Sequence, residues 1–281
     1  MSITTKDMNM NNKCSNALIS MTINRMKSYH AKTNFHEPEK LTLKEIRACL
    51  GKLGSGKIIS NRNSKMPGYT ISTTAHQCKT GAKLAKIKGS ICSKCYAFNG
   101  NYMFTSVQKG LQQNSIAIEF FEQSRDYTIW IVTLSELIRR RCIVKEIKDK
   151  VGNVIAIEDN TYFRFHDSGD IQSIEHLNAI NEVAKNNPTV SFWLPTREYK
   201  FVQAFMKNNT FADNLTVRLS AHMVGKKPQD FKTGLPTSTV SFDASEHHCI
   251  APKQDGACDG ELASCRNCWD KDVKNVNYKI H

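Results

Sequence analysis

Apolar residues recur with a period of two in short stretches of the second half of the chain, and with a period near 3.6 in the stretches between them. A period of two is typical of strands and a period of 3.6 of helices, because side chains alternate across a strand and return each turn of a helix. The pattern therefore predicts alternating strands and helices. The predicted strands are 162–166, 190–194, 215–219 and 239–242, and the predicted helices between them are 174–186 and 200–207.

Strands joined by helices of about ten residues pair in parallel, because the helix returns the chain to the same end of the sheet. We therefore expect an α/β fold with a partial (β/α) barrel-like parallel sheet, helices outside it, and cysteine-rich metal-binding N- and C-terminal segments. Further helices are predicted at about 43–50, 105–121 and 127–147.

The domain organisation follows from the same pattern. Residues 1–40 are polar and are predicted to form a weakly ordered lead-in. Residues 41–281 are predicted to form a single α/β domain, since the pattern indicates no second core. That domain includes an N-terminal cysteine loop, 72–104, and a C-terminal cysteine segment, 246–281.

Polar residues follow each predicted strand, at the sheet edge where α/β proteins usually bind ligands. Asp or Ser there can also cap the next helix, but histidines at several equivalent places, including His247 and His248, favour a site. Arg197 is predicted to bind an anion, because a guanidinium pairs with a carboxylate through two hydrogen bonds. The candidate catalytic residues for a small polar or anionic ligand are His166, Asp170, Arg197 and His222, and the candidate cofactor-binding residues are Ser168, Gly169 and Thr196.

Seven of the ten cysteines fall into two groups, and two pairs are spaced as Cys-x-x-Cys. Thiolates two residues apart can reach one metal from a tight turn, which predicts metal binding. Four thiolates alone would satisfy zinc, whereas three would leave one iron of a four-iron cluster open. Iron–sulfur and zinc remain alternatives, as do one shared and two separate centres. The candidate ligands are Cys78, Cys92 and Cys95 in the N-terminal group, and Cys249, Cys258, Cys265 and Cys268 in the C-terminal group.

The net charge of the chain and its expected cellular compartment limit the classes of function that the protein can have. Lys and Arg total 39 against 26 acidic residues, a net charge of +13, which favours contact with polyanions such as nucleic acid. No apolar run is long enough for a membrane span or a secretory signal, so we expect a cytoplasmic protein without a membrane partner. Clustered cysteines in a reducing compartment indicate metal binding or redox chemistry rather than disulfides. A zinc-stabilised basic module that binds nucleic acid is the alternative to an iron–sulfur protein.

Five short motifs resemble those of the bacteriophage "gene product 88" family. The resemblance implies a phage-encoded, cysteine-rich protein of the iron–sulfur type, located in the host cytoplasm, and leaves the reaction open. The matching stretches are 64–68 (SKMPG), 89–97 (GSICSKCYA), 163–171 (FRFHDSGDI), 192–198 (FWLPTRE) and 265–269 (CRNCW).

The count of three plus four cysteines on an α/β chain more distantly resembles radical S-adenosylmethionine enzymes with an auxiliary cluster. The turn at Ser168, Gly169 and Asp170 is loosely similar to the glycine-rich acidic turn of that family. This resemblance implies one or two [4Fe-4S] clusters, with S-adenosylmethionine as a further candidate cofactor.

Overall fold

The computed structural model describes residues 5–54, 57–60, 65–228, 232–243 and 249–280, with side chains from residue 16 onwards. The candidate residues His247 and His248, and Ser64 of the first family motif, lie outside these ranges. The helices are α1 (Thr5–His30), α2 (Leu43–Cys49), α3 (Lys79–Leu84), α4 (Thr105–Ser124), α5 (Thr128–Arg141), α6 (Ile174–Lys185) and α7 (Tyr199–Met206). The strands are β1 (Ile59–Ser60), β2 (Tyr69–Ile71), β3 (Val144–Lys148), β4 (Val154–Asp159), β5 (Tyr162–Phe165), β6 (Ser191–Thr196), β7 (Leu215–Ser220), β8 (Thr237–Ser241) and β9 (Asn275–Lys279).

Seven of these strands form one mostly parallel sheet in the order β1-β2-β5-β6-β7-β8-β9. Only the β1–β2 pair within it is antiparallel, and each strand from β5 onwards lies beside the next one along the chain. The predicted parallel α/β architecture is therefore confirmed. Within the described residues β1 and β9 are the two edges of this sheet.

The two faces of the sheet have different chemistry, because side chains alternate along each strand. Phe163, Phe192 and Val217 lie on the face covered by helices, in a core to which all helices except α3 contribute. Trp193 lies on the opposite face, where it packs with Cys268, Trp269 and Val276. The helices thus cover one face, and the C-terminal segment covers the other.

Arg218, fully buried in the middle of β7, attaches the C-terminal segment to the sheet. Its guanidinium donates to the carbonyl oxygens of the adjacent strand β8 and of four residues in the C-terminal segment. Nearby, the indole of Trp269 donates to the Phe163 carbonyl at 3.0 Å and packs edge-on against Trp193. The acceptors of Arg218 are the carbonyls of Thr237 (2.9 Å), Val273 (2.8 Å), Asn267 (2.8 Å), Asp270 (2.7 Å) and Cys268 (3.5 Å).

The predicted helix at 127–147 is wrong in its last turn. Helix α5 ends at Arg141, and the next residues form β3, which pairs with β4 in an antiparallel hairpin. Two local causes favour the hairpin: the run is rich in β-branched residues, and the Asp149 carboxylate accepts from the N–H groups of Val151 and Asn153 to close a turn. The strands and helices predicted from 162 to 242 are confirmed, with boundaries shifted by up to two residues at each end.

The prediction that residues 1–40 are weakly ordered is wrong for the second half of α1. Met26 on this helix is fully buried in the core beside α2 and α4. The His30 ring, near the helix end, lies 3.0 Å from the Cys49 carbonyl and stacks on Phe121. The polar composition of the segment concealed a single apolar contact face, which is enough to dock a helix.

Arg218→Met should destabilise the fold by about 3 kcal/mol or more, because it removes several buried hydrogen bonds and leaves their carbonyl oxygens without donors. Urea unfolding measures this. The control is Arg141→Met at the exposed end of α5, for which we expect a change within about 0.5 kcal/mol. Equal effects of the two substitutions would contradict the role given to Arg218.

Candidate functional site

The three N-terminal cysteines lie on short helical turns. Cys78 separates a 3-10 turn (Ala75–Gln77) from α3, and Cys92 lies in a second 3-10 turn (Ile91–Lys94) that Cys95 terminates. Ser90 caps that second turn, since its hydroxyl accepts from the Ser93 N–H at 3.0 Å. The three cysteines therefore lie on or next to short helical turns whose backbone conformation is held by hydrogen bonds.

Backbone hydrogen bonds hold this cysteine loop against the carboxyl end of β7. The Ile91 N–H donates to the His222 carbonyl at 2.9 Å, and the Val224 N–H donates to the Gly89 carbonyl at 3.1 Å. Cys92 and Cys95 consequently lie beside the strand ends that carry the predicted polar residues.

Gly81 in α3 leaves a gap between two of the thiols. A Cβ atom at this position would lie 2.9 Å from the Cβ of Cys78 and 3.7 Å from the sulfur atoms of both Cys78 and Cys92. Any larger residue would occupy the space that both sulfur atoms face.

Burial raises the pKa of two of these thiols, those of Cys78 and Cys92. Burial raises the pKa of Cys78 well above its ordinary value, and the charges of Asp170, Cys95 and Cys92 raise it further. Burial also raises the pKa of Cys92, whereas the Arg197 charge lowers it. The charges of the strand-end residues Asp170 and Arg197 therefore act on the thiols of Cys78 and Cys92.

Asp170 and Thr196 link the ends of β5 and β6. The Asp170 carboxylate accepts from the Thr196 hydroxyl at 2.6 Å and from the backbone N–H groups of Arg197 (2.9 Å) and Ile171 (2.8 Å). Burial raises the pKa of Asp170 from 3.8 to about 6, against these hydrogen bonds, which lower it. Asp170 therefore holds the loop that carries Arg197.

Glu198 links the end of β6 to α3. Its carboxylate accepts from the Thr80 N–H at 2.6 Å and from the Thr80 hydroxyl at 2.7 Å. Glu198 is buried and directly follows Arg197 in the sequence. This bidentate contact fixes the first turn of α3, and with it Cys78, relative to the strand ends.

Arg197 and His222 lie half-buried at the ends of β6 and β7. The Arg197 Nε donates to the Ala221 carbonyl at 3.1 Å. The two terminal nitrogens of Arg197 have no hydrogen-bond acceptor among the described residues. The His222 ring stacks on Tyr199 with centroids 4.4 Å apart, and its Nε2 lies 3.3 Å from the Arg197 carbonyl.

His166 and Ser168 are buried at the end of β5, and Gly169 beside them is half-buried. The His166 Nδ1 lies 3.1 Å from the Ile71 carbonyl, and its ring packs against His176 at 5.6 Å; burial lowers its pKa to about 4. The Ser168 hydroxyl is buried without a partner. Gly169 has φ of +86°, and a Cβ there would lie 1.9 Å from the Thr73 hydroxyl, so only glycine fits.

The four C-terminal cysteines lie together on the other face of the sheet. Backbone N–H groups fix three of them: Cys249 donates to Asn277 (3.1 Å), Cys258 to Lys65 (2.7 Å) and Cys265 to Cys258 (2.8 Å). Burial, with a smaller contribution from the neighbouring thiols of Cys268, Cys249 and Cys265, raises the pKa of Cys258 to about 12. Burial raises the pKa of Cys268 to about 11, while a hydrogen bond with Tyr278 and the charges of Arg164 and Arg218 lower it.

Arg164 lies between the two cysteine groups. Its Nη2 donates to the Tyr96 hydroxyl, next to Cys95, at 3.4 Å, and its charge acts on Cys268. The guanidinium also lies 4.4 Å from the centre of the Trp193 ring. Neither Arg164 nor Arg218 forms a salt bridge with a carboxylate in the described part of the chain.

Within the described ranges, no group of three or more His, Cys, Asp and Glu side chains is arranged to hold a metal ion. The structure therefore brings the thiols of each group near one another without establishing metal coordination. Our sequence reasoning did not identify Gly81, Arg164 or Arg218. A signal for the two arginines existed: each stands between apolar residues in a strand, where a charge needs buried partners.

The fold and the two thiol groups define a mixed α/β protein with cysteine-rich segments on a mostly parallel sheet. Residues 41–271 match the model of the family described as Gene product 88. Because this match covers most of the chain, the protein belongs to that family of bacteriophage proteins, as its motifs predicted. No curated protein and no solved structure matches the chain significantly. In the described residues, no helix has the length and apolar character needed to cross a membrane.

Asp170→Asn should remove a pH dependence of stability. Because burial raises the folded-state pKa from 3.8 to about 6, the stability contributed by protonation is fully present below pH 3.8 and is lost as the pH rises through 6. The stability of the wild type relative to the variant should fall by about 2 kcal/mol between pH 4 and 7, measured by urea unfolding. A difference that does not vary with pH would contradict this.

Proposed function

We propose that this protein binds two separate metal centres, one at each cysteine group, and that the preferred metal form is the [4Fe-4S] cluster. The N-terminal centre would be held by Cys78, Cys92 and Cys95, and the C-terminal centre by the other four cysteines. The observation that carries the proposal is the clustering of the thiols into two groups, on different elements and on different sides of Arg164.

The N-terminal group fits a metal centre because Gly81 keeps the space between Cys78 and Cys92 open. In a helix, glycine is less favourable than alanine by about 1 kcal/mol, so its presence needs a local reason. The Arg197 charge, which lowers the pKa of Cys92, also favours the thiolate that a metal requires.

The C-terminal group fits an anionic centre. A divalent metal with four thiolates carries net negative charge, and Arg164 and Arg218 are cations near Cys268 without a salt-bridged carboxylate among the described residues. Asp167 acts electrostatically on Arg164, and Asp270 acts on Arg218, although neither pair forms a salt bridge in the described residues. Buried charges are costly unless they are closely paired, and thiolates at this site would supply an additional counter-charge.

Three thiolates leave one iron of a four-iron cluster open to a ligand, which supports a catalytic or redox role for the N-terminal centre. The two terminal nitrogens of Arg197 make a two-donor face suited to a carboxylate or other anion beside that position. A radical S-adenosylmethionine-like reaction on a small polar ligand is one form of this proposal, and the mostly parallel seven-stranded sheet, in which strands from β5 onwards follow chain order, is compatible with it.

The alternative function is a zinc-stabilised module that binds nucleic acid. One observation favours it: the Phe104 side chain is 60% exposed beside a segment that carries the exposed lysines Lys94 and Lys109. Exposed aromatic rings stack on unpaired bases, and lysines contact phosphates. Binding of single-stranded DNA that does not weaken with salt would remove this alternative, because phosphate contacts release counterions.

Anaerobic purification followed by iron, sulfide and zinc analysis tests the proposal. We expect iron and sulfide together with the visible absorption of a cluster. A colourless protein that contains only zinc would contradict the iron–sulfur assignment and favour the alternative.

Two cysteine variants test whether the centres are separate. Cys268→Ala should remove the C-terminal centre and leave the N-terminal one, and Cys92→Ala should do the reverse, as measured by metal content and electron paramagnetic resonance. The matched control is Cys142→Ala: this thiol is buried in the helix-side core, outside both groups, and its loss should leave metal content unchanged. Loss of all metal from either variant while it remains folded would indicate one shared centre.

Gly81→Ala should lower metal content at the N-terminal centre, because the methyl group would lie in the gap 3.7 Å from both sulfur atoms and only 2.9 Å from the Cys78 Cβ, which would have to shift. The metal-free chain should remain folded, since alanine is the better helix former. The matched control is Gly110→Ala in α4, where a Cβ would meet no atom within 4 Å. Full metal loading of the Gly81 variant would show that the gap is not used.

A further inference from the structure

The β3–β4 hairpin leaves both of its faces exposed. Every residue of β3 is exposed, as are all but one of β4. Its aliphatic side chains include Ile155 at 63% and Ile157 at 70% exposure. An isolated two-stranded hairpin is only marginally stable in water, and an uncovered apolar edge is a pairing site for another strand.

Of the two outer edges of the hairpin, the edge of β3 is the one suited to pairing with another strand. The Asn160 N–H donates to the Ile143 carbonyl, and the Asp149 N–H to the Asn153 carbonyl. The odd-numbered residues of β3 therefore bond to β4, and the even-numbered Val144, Glu146 and Lys148 direct their backbone groups to the free edge. On β4 the register shifts opposite Ile147 and Lys148, and this irregularity obstructs pairing along the outer edge of β4.

From this geometry we infer that β3 pairs with β3 of a second copy of the chain, antiparallel and centred on Ile147, in a twofold homodimer. In this register Glu146 lies opposite Lys148 of the second copy, and Lys145 lies opposite Asp149 of the second copy. Symmetry repeats each pair. The two hairpins then form one four-stranded antiparallel sheet.

The charge pattern selects this register. Centring the pair on Lys145, Glu146 or Lys148 would place two like charges directly opposite each other, which is destabilising. Centring it on Ile147 places an apolar pair at the axis and an opposite charge across from each neighbouring charged residue. The charge complementarity of β3 with itself is the reason to assign the edge to a second copy.

Analytical ultracentrifugation of the full chain over a concentration series tests this. The wild type should show a monomer–dimer equilibrium. Glu146→Lys should raise the dimer dissociation constant at least about tenfold, because it places lysine opposite lysine at two sites. Lys148→Glu should do the same, and the combined variant should restore the wild-type constant, because the opposite charges face each other again.

The control is Glu119→Lys, which makes the same charge change at an exposed position of α4 and should leave the constant unchanged. Circular dichroism establishes that each variant is folded. A wild type that stays monomeric overturns the inference and leaves the edge to a strand of a different protein. A combined variant that dimerises no better than the single ones overturns the proposed register.

Discussion

The hydrogen bonds of Arg218 are the constraint on which the arrangement of the second face depends. The described part of the C-terminal segment, from residue 249 to the start of β9, has little regular structure, so its backbone carbonyls need donors from elsewhere. Arg218 provides them from one fully buried side chain in the middle of the sheet. Because two of its acceptors are Asn267 and Cys268, the same interaction positions a cysteine and attaches the segment.

On the other side of the site, buried carboxylates act as structural links. Asp170 and Glu198 each accept hydrogen bonds from backbone N–H groups, and each bond joins a strand end to a neighbouring loop or helix. Their oxygens are occupied by these contacts, whereas the two terminal nitrogens of Arg197 have no acceptor among the described residues. The chemistry of the strand ends therefore depends on Arg197. Asp170 and Glu198 position the loop that carries it, and its charge acts on Cys92.

The sequence predicted the parallel α/β region well, because from residue 162 onwards strand and helix periods alternate clearly and tertiary packing agrees with them. It failed at 144–147, where a short apolar run fits a helix or a strand and the turn at Asp149 decided the outcome. Which of the candidate residues contact one another could not be predicted from the sequence. Asp170 and Thr196 were recognised from their place after strands, yet their mutual hydrogen bond depends on residues 26 positions apart meeting in space.

The two cysteine groups share one physical problem, which is that burial stabilises the protonated thiol. Burial raises the pKa of Cys78, Cys258 and Cys268, so the proposed metal would have to supply the free energy that removes their protons. Positive charges lower this cost: Arg197 acts on Cys92, and Arg164 and Arg218 act on Cys268. Each group thus has its own cations, whose guanidinium groups contact backbone carbonyls or aromatic rings and form no salt bridge with a carboxylate in the described part of the chain. That arrangement leaves the positive charge available to thiolates, and it is the physical reason to regard both groups as built for anions.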